Sequence, residues 1–201
     1  MLNQLSESSV NKNPFKQFTK WYKEALDSNV TEPTAMILST ASKSGVPSAR
    51  TILLKGYDER GFVFFTNYDS RKAKELEENP NTELLFLWKE IERQVRISGT
   101  AERTSKQESD EYFKTRPYES RIGAWASKQS SIIRNRDFLE KKFEEIKSMY
   151  EGSEIPLPPF WGGFRVLPHT FEFWQGRENR LHDRICYKKK DDSWEIVRLS
   201  P

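Results

Sequence analysis

Short apolar runs, each closed by turn residues, follow one another along most of this chain, and that pattern commits it to antiparallel sheet. AMILSTA (35–41) and ARTILLKGY (49–57) are separated by SKSGVP, a hexapeptide rich in turn formers. DERG (58–61) leads into FVFFTN (62–67). TELLFLW (82–88) and RQVRISGTAE (93–102) form a further pair. The tail returns to strands with FRVLPHTFEFWQ, RLHDRICYKK and WEIVRL, the last two joined by a KDDS turn. Strands linked this closely predict a meander that closes into a barrel.

Helices are signalled between the strands. Asn13-Pro14 reads as an N-cap followed by Pro at the first helical position, and Phe15, Phe18, Tyr22 and Leu26 recur at helical spacing over 14–28. SRKAKELEENP (70–80) predicts a short helix capped by Ser70 and stopped by Pro80. Ser105 and Glu108 form a capping box for a helix running to about Arg116. A longer helix is predicted over 131–149, with Leu139, Phe143, Ile146 and Tyr150 as its apolar stripe. PLPPFWGG (156–163) reads as a rigid connector. Residues 1–12 are polar and read as a flexible segment, leaving 13–201 as one α+β domain, mainly antiparallel β, without internal repeats.

Composition narrows the function classes. Aromatic residues make up 13%, far from the profile of a disordered chain. Basic and acidic residues number 33 and 30, too balanced for bulk electrostatic binding of nucleic acid. Cys186 is the lone cysteine, so no intrachain disulfide forms, and a reducing, cytoplasmic setting fits. No apolar run approaches the roughly 20 residues a membrane span needs. No acidic or Cys/His set has metal-ligand spacing, and neither a dinucleotide fingerprint, a P-loop nor a nucleophile elbow is present.

Five stretches carry candidate chemistry. TNYDSRK (66–72) sets Ser70, Arg71 and Lys72 at a helix N-terminus, where free N–H groups favour an anion; an ordinary capped helix would read the same way. RTILLK (50–55) frames an apolar strand with Arg50 and Lys55, which strict alternation puts on opposite faces. They serve one ligand only if the strand bulges or the ligand wraps an edge. YFKTRPYES (112–120) offers Tyr112, Arg116 and Ser120, a possible phosphate cradle, with Tyr112 and Arg116 on one helix face. ASKQSS (126–131) is a polar loop whose Gln129 and Ser130 suit either capping or the edge of a heterocycle. Finally, EFWQGRENRLHDR (172–184) holds Trp174 and one of the two histidines; as a strand it aligns Arg180, His182 and Arg184 on one face. Two separate anion cradles, flat aromatic walls and one histidine fit a pair of ligands that each carry a phosphate and a planar ring.

These blocks, together with GFVFFTN, ERQVRISG, IGAWASKQSS and WGGFRV in this order, resemble the pyridoxamine 5'-phosphate oxidase family from about residue 14 to Pro201. The resemblance implies an FMN-binding split β-barrel with flanking helices, working as a homodimer with the flavin at the subunit interface. It implies oxidation of pyridoxamine or pyridoxine 5'-phosphate to pyridoxal 5'-phosphate by hydride transfer from substrate C4' to flavin N5. Oxygen then reoxidises the flavin, giving hydrogen peroxide, and the amine substrate also releases ammonia. By the same resemblance the flavin is met by Arg50, Thr51, Ile52, Leu53, Leu54, Lys55, Phe65, Thr66, Arg71, Lys72, Gln94, Gln129, Ser130, Trp174 and Arg184. Phe65 stands where many members have Tyr. Lys55, Tyr112, Arg116 and Ser120 match the substrate-phosphate cradle, and Arg180 and His182 the residues over the pyridine ring, where they are the catalytic candidates. Many relatives carry a longer N-terminal arm over the active site than this chain. Two rival readings are another split-barrel flavin reductase or oxidoreductase, and a non-enzymatic RNA-binding barrel.

Overall fold

The computed structural model describes residues 5–201. Helix α1 (Pro14–Leu26) starts where expected: the Asn13 side chain accepts hydrogen bonds from the Phe15 and Lys16 N–H groups, and Pro14 has no N–H that would need an acceptor. Its apolar stripe buries Phe15, Phe18, Trp21 and Ala25. Phe18 is wholly buried and meets Tyr22, Tyr57, Phe62, Phe86 and Trp88. Burying such a ring contributes about 1.5–3 kcal/mol.

Among the described residues nine strands form one antiparallel sheet: β1 (Ala35–Ala41), β2 (Pro47–Leu53), β3 (Gly56–Asp58), β4 (Gly61–Asn67), β5 (Asn81–Trp88), β6 (Arg93–Arg103), β7 (Trp161–Gln175), β8 (Asp183–Lys190) and β9 (Ser193–Arg198). The order is β2-β1-β5-β6-β7-β4-β3, with β8 also on β7 and β9 beyond it. Strand β7 therefore shares one edge between two partners. Its first residues pair with β4 from Phe62↔Val166 to Asn67↔Trp161, and its last with β8 from Thr170↔Lys188 to Gln175↔Asp183. A β-bulge sits at the junction on β7 itself: Ser98 pairs with Thr170 and the next residue, Gly99, with Pro168, so His169 is the extra residue, beside a proline with no N–H to donate. This division splits the barrel.

Helix α2 (Arg71–Glu78) is capped by Ser70, and the capping box of Ser105 and Glu108 opens α3 (Lys106–Thr115). Helices α4 (Tyr118–Ala126) and α5 (Arg136–Met149) pack with α3 over a second, smaller core of Phe113, Ile122, Ile146, Ile155 and Trp161. Among the described residues no helix is long and apolar enough to cross a membrane, and none of the His, Cys, Asp and Glu side chains form a metal-holding group.

Several expectations need correction. The run 49–57 is two strands, because the chain turns away at Leu54 and Lys55; their N–H groups donate to Thr34 and Val63. Helix 131–149 begins only at Arg136, and α4 was not foreseen as a separate helix. Arg116 is not helical: its ψ of 147° is extended, since Pro117 bars the α region to the residue before it. The RLHDR stretch is not a strand until Asp183. Glu178–Arg180 form a 3₁₀ turn, with Asn179 and Arg180 at φ 55° and 61°, so alternation does not align Arg180, His182 and Arg184. WGG is the start of β7 rather than a connector.

Residues 5–12, read as flexible from their polarity, are packed. Leu5 and Val10 are buried in the main core. Tyr187 Oη donates to the Asn11 carbonyl at 2.8 Å, and the Leu5 N–H donates to Asp183 Oδ2 at 3.2 Å. Residues 1–4 of that segment lie outside the described residues.

Candidate active site

The break after β2 has a functional result. A cavity of about 580 Å³ is lined by Arg50, Thr51, Ile52, Leu53, Lys55, Phe65, Thr66, Lys72, Tyr112, Arg116, Ser120 and Gln129, joined by Thr115, Pro117 and Trp161. Arg50 and Lys55, on opposite faces by strict alternation, reach one cavity because the strand ends between them. Leu54 points instead into the main core.

Lys72 is the most revealing cation. Its Nζ donates to Gln129 Oε1 at 2.7 Å and Thr66 Oγ1 at 3.2 Å, and no carboxylate of the described residues pairs with it. Burial, reinforced by Arg50, pulls its ammonium down to about 8. An ammonium kept among neutral acceptors, beside a second cation, is poised for an anion.

Arg50 and Arg71 are anchored by Glu75. Glu75 Oε2 accepts from Thr40 and Ser48, both at 2.5 Å, and from Arg50 at 3.3 Å, while Oε1 accepts from Arg71 Nε at 2.7 Å. Burial pushes this carboxyl up, but its hydrogen bonds outweigh burial and hold it at about 2. Arg71, Gln129 and Ser130 line an adjoining groove of about 420 Å³. Ser130 adopts φ 68°, a conformation uncommon outside glycine and often found at ligand sites.

Three rings form the cavity's apolar wall. Phe65 stacks on Tyr112 with centroids 3.9 Å apart and on Trp161 at 5.5 Å, all three ring planes nearly parallel. Arg116 lies over Trp161, 4.8 Å from its ring centre. Its Nη1 is buried with no hydrogen-bond partner among the described residues, and burial lowers its pKa. An orphaned buried guanidinium costs free energy unless an anion completes it.

The remaining candidates sit elsewhere. Gln94, Trp174 and Arg184 are successive partners across β6, β7 and β8. Arg184 makes a two-pronged pair with Glu172 at 2.9 and 3.1 Å and donates to the Ser200 carbonyl. His182 packs on Trp174 at 4.6 Å, and its Nδ1 accepts the Arg177 N–H at 3.1 Å, so in the neutral ring Nε2 carries the proton. Arg180 is exposed on the strained turn. Trp161 is the first residue of β7 and Trp174 the last but one. None of Gln94, Trp174, Arg180, His182 and Arg184 lines the cavity of its own chain.

A family model described as pyridoxamine 5'-phosphate oxidase matches residues 22–150. The chain belongs to the pyridoxamine 5'-phosphate oxidase family. A second model, the pyridoxine 5'-phosphate oxidase C-terminal dimerisation region, matches residues 161–201, which contain Trp174, Arg180, His182 and Arg184. The family is one of oxidoreductases, and relatives across the full length carry its name. The pyridoxine/pyridoxamine 5'-phosphate oxidase of Rippkaea orientalis is 59% identical, over 98% of this chain and 93% of its own. That of Rubrobacter xylanophilus is 55% identical, over 98% and 91%. Among solved structures, PhzG from Burkholderia lata, in complex with tetrahydrophenazine-1-carboxylic acid, superposes with a TM-score of 0.93 at 31% identity, covering 99% of this chain and 98% of its own. A pyridoxamine 5'-phosphate oxidase-related, FMN binding protein from Nostoc punctiforme shares the fold, with a TM-score of 0.76 at 17% identity and 96% and 100% coverage.

Within this oxidase family frame, sequence reasoning missed Glu75, Thr40, Ser48, Trp161 and Glu172. Glu75 had a visible signal, its spacing of four residues from Arg71 on a predicted helix. Trp161 was hidden by its Pro and Gly neighbours.

Proposed function

We propose that this family member is an FMN-dependent oxidase, acting in the cytoplasm, that converts pyridoxamine and pyridoxine 5'-phosphates to pyridoxal 5'-phosphate. Oxygen is the electron acceptor and is reduced to hydrogen peroxide; with the amine substrate, water supplies the aldehyde oxygen and ammonia leaves. The observation that carries this reading is a pair of cations without a carboxylate partner among the described residues, Lys72 and Arg116. A ligand pair with two phosphates completes both. A flavin reductase acting on a substrate without phosphate would leave the Arg116 guanidinium stranded.

Lys72, Arg50 and Arg71 hold the flavin phosphate, with Thr66, Gln129 and Ser130 as neutral partners. The bound FMN supplies the two-electron acceptor for the hydride leaving substrate C4'. Arg116, Tyr112, Ser120 and Lys55 grip the substrate phosphate, so that binding energy fixes the ring at attack distance. Arg180 covers the ring's other face and stabilises developing charge, and His182 holds that face together with the substrate's polar group. Because Arg180, His182, Trp174 and Arg184 do not line the cavity of their own chain, they reach it from the partner in a homodimer, with the flavin at the interface. The matched dimerisation region supports that arrangement.

The test is spectroscopic. Purified protein, reconstituted with FMN where needed, is expected to be yellow, to bleach on anaerobic addition of pyridoxine 5'-phosphate, and to recover its colour with oxygen. Protein that takes up no FMN, or that is not reduced by either phosphorylated substrate, would refute the reading.

A further inference from the structure

We propose that Glu75 is a positioning residue for the phosphate end of the flavin site, holding Arg50 and Arg71 from two different elements so that both guanidiniums are set before the ligand arrives. The proposal rests on the flavin reading above.

Glu75 is only 6% exposed, yet it lies on α2 between the strand pair β1–β2 and the helix start. Thr40 pairs with Ser48 and Leu38 with Arg50 across β1 and β2, which puts Thr40, Ser48 and Arg50 on one face of the hairpin. All three donate to Glu75 Oε2. Arg71, the first residue of α2, donates to Oε1. Four donors occupy the acceptor capacity of one carboxylate. Glu75 therefore cross-links the hairpin to the helix end where free N–H groups gather.

The cations around it explain a carboxylate beside a phosphate site. Arg50, Arg71 and Lys72 crowd one region, and Arg50 already opposes the charge on Lys72. With Glu75 among them the formal surplus is two positive charges, which matches a phosphate dianion. The Arg71 side chain is 62% exposed, and a long arm of that kind loses rotamer freedom when it binds. Pinning it beforehand lowers the ordering cost on association.

FMN and riboflavin differ only in the terminal phosphate, so the pair isolates this effect. Flavin affinities are measured by fluorescence quenching on the full-length protein, beside its thermal melt. Wild type is expected to bind FMN far more tightly than riboflavin. Glu75→Gln keeps the volume and is expected to lose FMN affinity by roughly tenfold or more, with riboflavin affinity within about twofold. Glu75→Asp, which keeps the charge, is expected to fall between. Glu75→Gln that binds FMN as well as wild type, or better, overturns the proposal, because the carboxylate then only offsets charge. An equal loss for both flavins also overturns it and makes Glu75 a determinant of the fold. Wild type that does not distinguish the two flavins would instead sink the phosphate-site reading, and this proposal with it.

Discussion

Lys72 holds its ammonium 2.7 Å from Gln129 Oε1 with no carboxylate of the described residues beside it. Its folded pKa, about 8, lies below the ordinary 10.5. The unfolded chain therefore holds the extra proton between those values, and the flavin-free protein gains stability as pH rises through that window. A bound phosphate reverses the preference by pairing the ammonium. FMN affinity is expected to be level below about pH 8 and to fall above it by up to roughly tenfold per pH unit. Titrations between pH 7 and 9.5 check this, and Lys72→Met is expected to bind weakly with a flat profile.

Arg116 predicts an exchange between function and stability. Its buried Nη1 has no partner among the described residues, so Arg116→Met removes a desolvated charge. Flavin-free protein is expected to keep its stability or gain about 1 kcal/mol. The KM for either phosphorylated substrate is expected to rise by roughly 30-fold or more, the cost of removing one partner of a buried charge pair. Melting curves and steady-state kinetics measure the two effects separately.

Arg180 stands on a turn with φ 61°, away from the cavity of its own chain. Arg180→Met is expected to lower kcat by roughly 100-fold while FMN stays bound at full stoichiometry. Lost flavin with unchanged turnover per flavin would contradict the role assigned to it.

The aromatic centre predicts a purely structural loss. Phe18 is fully buried among five other aromatic rings. Phe18→Ala is expected to cost about 3–5 kcal/mol in denaturant unfolding.

Much of this molecule was legible because its signals are local. Asn13, Ser70 and Ser105 announced helix starts through side-chain oxygens that reach only two or three residues ahead. Short apolar runs closed by turn residues announced the strands. The failures have physical causes as well. RLHDR kept an alternating pattern through a turn that contains no Gly or Pro, and Asn179 tolerates the left-handed conformation better than most residues. Arg116 was misread although Pro117 stated its conformation. The Glu75 cluster joins residues 25 and 35 positions apart, a contact that only the sheet register creates. The cavity was recognisable residue by residue, whereas its separation from Trp174, Arg180, His182 and Arg184 was not, because it depends on how far β7 extends, from Trp161 to Gln175.

That single long strand has a genetic consequence. If each catalytic centre borrows one half from either chain, defects in different halves complement. Lys72→Met and Arg180→Met homodimers are each impaired at both centres. In a mixed dimer one centre collects both defects and the other collects neither. Refolding the two inactive variants together in equal amounts is expected to restore about a quarter of wild-type turnover, since half the dimers are mixed and each regains one centre of two. Two copies of this protein, each broken, would then make one that works.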